Sequence, residues 1–152
     1  MHTRREMLAR SAGVAGMLAG LGLLPATAQA AWNAKAFEAK TMTDLMAALG
    51  GSAPAESKDV TITGPDIAEN GAVVPVGCAT TLPNVKRLLI LVEKNPNLLT
   101  AAFDVSDAVE PNFATRVKMG QSSNVIAVAM LADGKVAFAQ KEVKVTLGGC
   151  GG

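Results

Sequence analysis

Apolar residues in this chain recur at two different periods, and the change between them divides it. From Ala34 to Leu49, Phe37, Thr41, Leu45 and Ala48 fall at helical spacing, as do Met42, Met46 and Leu49. Good helix formers fill the positions between them, and Gly50-Gly51 supplies a stop. The spacing predicts one amphipathic helix over this stretch, followed by a short polar linker through Lys58 that contains Pro54. From Asp59 onward the period shortens to two. Val60-Thr61-Ile62-Thr63 is β-branched throughout and stops at Gly64-Pro65. Asn70-Gly71 turns the chain into Ala72–Thr80. Val85–Val92 is apolar on both faces at its centre, the pattern of a buried central strand.

Further strands are expected over Leu98–Val105, Phe113–Met119 and Val125–Leu131. Asp133-Gly134 is the strongest hairpin signal, and it leads into a long last strand carrying Val136, Phe138, Val143, Val145 and Leu147. The apolar parity breaks between Phe138 and Val143, which suggests a bulge near Gln140-Lys141. About seven strands with turns every 8–12 residues indicate an all-β fold, an immunoglobulin-like antiparallel β-sandwich with a short N-terminal helix.

The first 30 residues read as an export signal. Thr3-Arg4-Arg5-Glu6-Met7-Leu8 is a twin-arginine pattern. The apolar stretch from Ala12 to Leu24 is about 13 residues, short of the roughly 20 a membrane span needs. Pro25 and Ala28-Gln29-Ala30 complete a small-x-small cleavage site. Cleavage after Ala30 removes three of the 14 basic residues and one of the 13 acidic ones, leaving 11 against 12. No basic patch stands out, so nucleic acid is not implied. Lys86-Arg87, Arg116 and Lys118 are candidates for an anion-facing or partner-facing surface, or else plain solvated charges.

The single histidine, His2, lies in the signal. A processed chain therefore has no imidazole for a Ser–His or Cys–His mechanism, a metal site or a haem ligand. Its chemistry narrows to two cysteines. Cys78 shares strand parity with Val74 and Val76, which makes it a small buried hydrophobe. Cys150 stands two residues from the end, flanked by Gly148, Gly149, Gly151 and Gly152. Four glycines around one thiol make a poor packed element and a good flexible arm, here about five residues reaching roughly 17 Å when extended. An ordinary thiol has a pKa near 8.5, so only a few per cent is thiolate at neutral pH. No basic residue lies in the last seven positions to raise that fraction. If Cys150 is used, a partner activates it. The bland alternative is a Cys78–Cys150 disulfide, since exported proteins live where disulfides persist.

The terminal Gly-Gly-Cys-Gly-Gly together with a twin-arginine signal resembles the SoxY family, the carrier subunit of the SoxYZ complex in periplasmic thiosulfate oxidation. The run from Ile67 to Val76 and the loop Glu93-Lys94-Asn95-Pro96-Asn97 are similar to that family's characteristic segments. The resemblance implies a domain at residues 31–147 and a carrier arm at 148–152. It also implies a heterodimer with a SoxZ-like subunit and sulfur intermediates bound covalently at the position of Cys150. Loading by a haem enzyme, SoxAX, hydrolytic release of sulfate by SoxB and processing of the remaining sulfane sulfur by the molybdenum–haem enzyme SoxCD or another acceptor are implied as partner activities, so the chain needs no cofactor of its own. The sequence departs from the usual pattern at Cys78, where an unreactive residue is expected, and at Leu98, where proline is common. Two other readings stay open: an exported binding module with a structural disulfide, and a ubiquitin-like sulfur carrier activated at Gly151-Gly152.

Overall fold

The computed structural model describes residues 33–146. Among the described residues two helices, α1 (Ala34–Glu38) and α2 (Met42–Leu49), precede nine strands: β1 (Pro54–Glu56), β2 (Val60–Thr63), β3 (Ile67–Ala68), β4 (Val74–Thr80), β5 (Val85–Val92), β6 (Leu99–Asp104), β7 (Asn112–Val117), β8 (Ser123–Leu131) and β9 (Val136–Val145). The expected single helix is thus two. Thr41 is the reason: it holds an extended conformation, and its hydroxyl accepts from the Asp44 amide at 3.1 Å, so the second helix is capped afresh. Gly50 closes α2 in the left-handed region at φ 76°.

The larger sheet runs β1-β9-β8-β5-β6, with β3 also paired to β9, and the smaller one runs β2-β4-β7. Most pairs are antiparallel, but β1 and β3 both lie parallel to β9. Neither short strand is legible in the sequence. Pro54–Glu56 and Ile67–Ala68 carry no period of their own, and β9 recruits them along its edge.

Between the sheets Val74, Val76 and Cys78 meet Leu88, Ile90, Val92, Val125, Ala127, Ala129 and Val143. A second apolar layer covers the outer face of the larger sheet, where Leu45 and Met46 of α2 pack on Leu89, Leu91, Ile126 and Val128. Leu88 through Val92 are all fully buried because both faces of β5 are covered. The same geometry replaces the expected bulge in β9. Its register with β8 runs without a shift from Met130↔Val136 to Ser123↔Val143. Val136 and Phe138 face the helical layer, while Val143 and Val145 face the sandwich interior, so the parity break records a change of covered face. The irregularities fall in β5 instead, between Val85 and Arg87 and between Ile90 and Leu91. Phe103 of β6 stacks on Phe113 of β7 with centroids 4.6 Å apart, closing one side of the sandwich. Among the described residues no helix is long and apolar enough to cross a membrane.

Candidate functional site

Cys150, its flanking Gly148, Gly149, Gly151 and Gly152, and the export residues Arg4 and Arg5 lie outside the described residues. What the structure gives is the point from which the terminal segment departs. β9 runs to Val145, and the Thr146 amide donates to the Ala68 carbonyl at 3.1 Å. The Lys144 amide donates to Asp66 O at 3.0 Å, so β3 holds this end of the strand in parallel register. On the other side the Val145 amide donates to the Ser122 hydroxyl at 2.9 Å. The Lys141 ammonium meets the Asp66 carboxylate at 2.9 Å and donates to Gly64 O at 2.6 Å. The hydrogen bond from Lys141, with the ammonium charge, holds the Asp66 carboxyl below its usual pKa.

Three loops converge here. The β3–β4 loop carries Asn70, whose side chain accepts from the Ala72 amide at 2.9 Å, and Gly71, whose carbonyl accepts from the Met119 amide at 2.7 Å. The β7–β8 loop is joined to the β5–β6 loop by Asn95, which donates to the Lys118 carbonyl at 2.7 Å, and by Ser123, which accepts from the Lys94 amide at 3.0 Å. Gly71 is demanded by space: a Cβ there would sit 2.4 Å from Met119 O and 2.8 Å from Val145 Cγ1. The two segments whose sequence resembles SoxY, residues 67–76 and 93–97, are therefore both bonded to the stretch from Lys118 to Ser123, at the end of the sandwich where the last strand finishes. The sequence marks Asn70-Gly71 as a turn but gives no sign that Met119 and Ser122 complete the root, because those contacts span tens of residues.

Cys78 is a free thiol at 1% exposure in the core between the sheets. Desolvation pushes its pKa from 9.0 up to about 11. This expected core position is borne out, and a thiol so placed is a weak nucleophile at neutral pH. The sign of its linkage follows. An unfolded chain loses this proton near pH 9 and the folded one near 11, so stability falls as pH rises through that window. Denaturant midpoints should decline between pH 9 and 11, and Cys78→Ala should flatten that decline; an unchanged slope in the variant would exclude Cys78 as its source. Lys86 and Arg87 do not lie at this end of the sandwich: Arg87 is paired with Asp104 near the start of β5, at the opposite end. Among the described residues no group of three or more His, Cys, Asp or Glu could hold a metal ion.

A sandwich that spends its interior on aliphatic packing, buries one cysteine and pins its last strand next to a cysteine-bearing terminus has the form of a carrier domain. The family model for the sulfur oxidation protein SoxY matches residues 45–150. The chain belongs to the SoxY family, whose members are sulfur carriers and not enzymes. The solved structure of the sulfur carrier protein SoxY from Chlorobium limicola f. thiosulfatophilum is 38% identical, with a TM-score of 0.62, and the match covers 69% of this chain and 96% of that one. A variant of the superoxide reductase (neelaredoxin) from Ignicoccus hospitalis matches over 57% of this chain and 79% of its own at 17% identity and a TM-score of 0.51, a likeness of fold alone. No curated protein matches.

Proposed function

We propose that the chain carries sulfur intermediates of thiosulfate oxidation as covalent adducts of Cys150 and presents them to partner enzymes in the periplasm. The observation that carries this reading is the reach of the family match: it extends to residue 150, which is the cysteine itself. The buried Cys78 leaves Cys150 as the thiol available to a partner. Export follows from Arg4 and Arg5 and delivers the chain to the compartment where the Sox enzymes work.

Loading is an oxidation. The Cys150 thiolate and the outer sulfur of thiosulfate form an S–S bond, and two electrons pass to the haem partner, SoxAX. The product is a cysteine S-thiosulfonate with one negative charge. Water then attacks its sulfonate sulfur in SoxB, releasing sulfate and leaving a persulfide, which a SoxCD-type enzyme oxidises further. The chain supplies none of the redox groups. It supplies a thiol on a tether that starts from a fixed root. A SoxZ-like subunit completes the carrier as a heterodimer.

Intact mass of the exported protein from cells grown with and without thiosulfate tests the reading. The expected result is a chain beginning at Ala31, heavier by a sulfur-containing group on its last peptide only when thiosulfate is present. An adduct mapped to Cys78, or a mass that never changes, would overturn it.

A further inference from the structure

The larger sheet has one covered edge and one open edge. At β9 the edge is taken up: β1 pairs with Val136, Ala137 and Phe138, and β3 pairs with Lys144 and Val145. At β6 the sheet ends, because among the described residues β6 pairs with β5 and with no other strand. The register skip opposite Ile90 and Leu91 leaves Thr100 out of that ladder, so the regular part of the edge is residues 101–104. The Val105 amide donates to Lys86 O at 2.8 Å, which sets the alternation. Ala101 and Phe103 turn their backbone groups to β5, and Ala102 and Asp104 turn theirs away from the sheet. Natural edges are guarded by lysine, by proline or by charge. Residues 101–104 carry neither lysine nor proline, and their one charge, Asp104, is paired with Arg87.

The same side of the sandwich shows an apolar seam. Phe103 of β6 and Phe113 of β7 are both half-buried, and their rings lie within 2° of parallel. They bridge the last strand of each sheet, so the core reaches the surface between them.

We propose that β6 pairs antiparallel with β6 of a second copy of this chain, about a two-fold axis through Phe103. In that register the strand is complementary to itself. Ala102 lies opposite Asp104 of the copy, and each such pair exchanges the outward backbone groups of both chains. No two carboxylates stand opposite each other, so the charge on the edge does not oppose pairing. The two Phe103 residues form the close, non-hydrogen-bonded pair on the axis, and with the two Phe113 rings they fill the seam with aromatic contact. The assembly closes as a dimer, because the far edge of each larger sheet is already covered by β1 and β3. Antiparallel pairing also sets direction. The start of β6 sits at the end of the sandwich where β9 finishes, so the two β9 strands finish at opposite ends of the doubled sheet.

Position 102 reads the register, because its side chain is exposed and can be changed without touching the core. Sedimentation of the chain under reducing conditions, which exclude disulfide-linked pairs, should show a dimer that dissociates on dilution. Ala102→Asp sets a carboxylate opposite Asp104 of the copy and should weaken association several-fold. Ala102→Lys sets an ammonium there and should strengthen it several-fold, and both effects should shrink in high salt. Ala102→Pro removes an outward N–H but no bond to β5, and should abolish the dimer with the circular dichroism of the sandwich unchanged. The Ala102 and Asp104 amides should exchange more slowly as concentration rises. A monomer at every concentration would overturn the proposal. So would a dimer in which Ala102→Asp and Ala102→Lys act alike, or one in which these amides stay unprotected, since its seam would lie elsewhere. Protection that appears only when a SoxZ-like subunit is added would overturn it by assigning the edge to that subunit. The pairing needs no adduct on Cys150, so its failure would leave the carrier role standing, and failure of loading at Cys150 would leave the dimer standing.

Discussion

Cys150→Ser is expected to abolish thiosulfate loading completely, with no residual adduct on the chain. The proposed step forms a sulfur–sulfur bond, and a hydroxyl has neither the sulfur nor a usable anion at neutral pH. The second thiol offers no bypass. Cys78 is 1% exposed and its pKa is about 11, so its thiolate fraction at pH 7 is on the order of one in ten thousand and the atom cannot be reached by an enzyme. Intact mass after incubation with thiosulfate and the loading enzyme reads the result. Wild type and Cys78→Ala should both gain the adduct, and Cys150→Ser should gain nothing. An adduct on Cys150→Ser would end the assignment. Loss of loading in Cys78→Ala, with the sandwich still folded, would point to a role for the inner thiol that its burial argues against.

The strands rich in β-branched or apolar residues were legible in the sequence. Val60–Thr63 and Val85–Val92 match their expected bounds because each has a face, or two faces, set by covering layers. What was not legible depends on neighbours distant in sequence. β1 and β3 exist because β9 offers its edge, and no local pattern in Pro54–Glu56 or Ile67–Ala68 says so. The parity break in β9 was visible, but its cause was not: an added residue and a change of covered face leave the same trace in sequence, and only the position of α2 tells them apart. The candidate site divides in the same way. The cysteine and its glycines announce themselves by composition. The root does not, because Gly71, Met119 and Ser122 are brought together from two loops by β4 and β7 pairing in between. Asn70-Gly71 reads as an ordinary turn, yet the glycine's place in the fold is set by what stands over it.

That distinction makes Gly71→Ala the most informative stability experiment on this chain. The added methyl would lie 2.4 Å from the Met119 carbonyl oxygen and 2.8 Å from Val145 Cγ1. The valine methyl can rotate away, but the carbonyl is backbone and cannot. The loop must lift, and lifting it stretches the 2.7 Å bond from the Met119 amide to Gly71 O. Overpacking against a fixed group costs about 1–3 kcal/mol and the lost bond about 1 more, so a loss of about 2–4 kcal/mol is expected, or roughly 10 °C in melting temperature for a domain of this size. Gly120→Ala is the matched control: it lies next to Met119 in the same β7–β8 loop, its backbone is not left-handed, and no atom stands within 4 Å of the new methyl. It should change stability by no more than about 0.5 kcal/mol. Amide exchange adds the functional reading. In Gly71→Ala the Val145 and Thr146 amides should exchange faster than in Gly120→Ala, because the loop that packs on Val145 also borders their bonds to Ser122 and Ala68. The last strand would then be held less firmly at its end, and under the proposed carrier role loading by a partner should weaken through KM before kcat falls. Equal melting temperatures for the two variants would mean that the β3–β4 loop does not press on the β7–β8 loop.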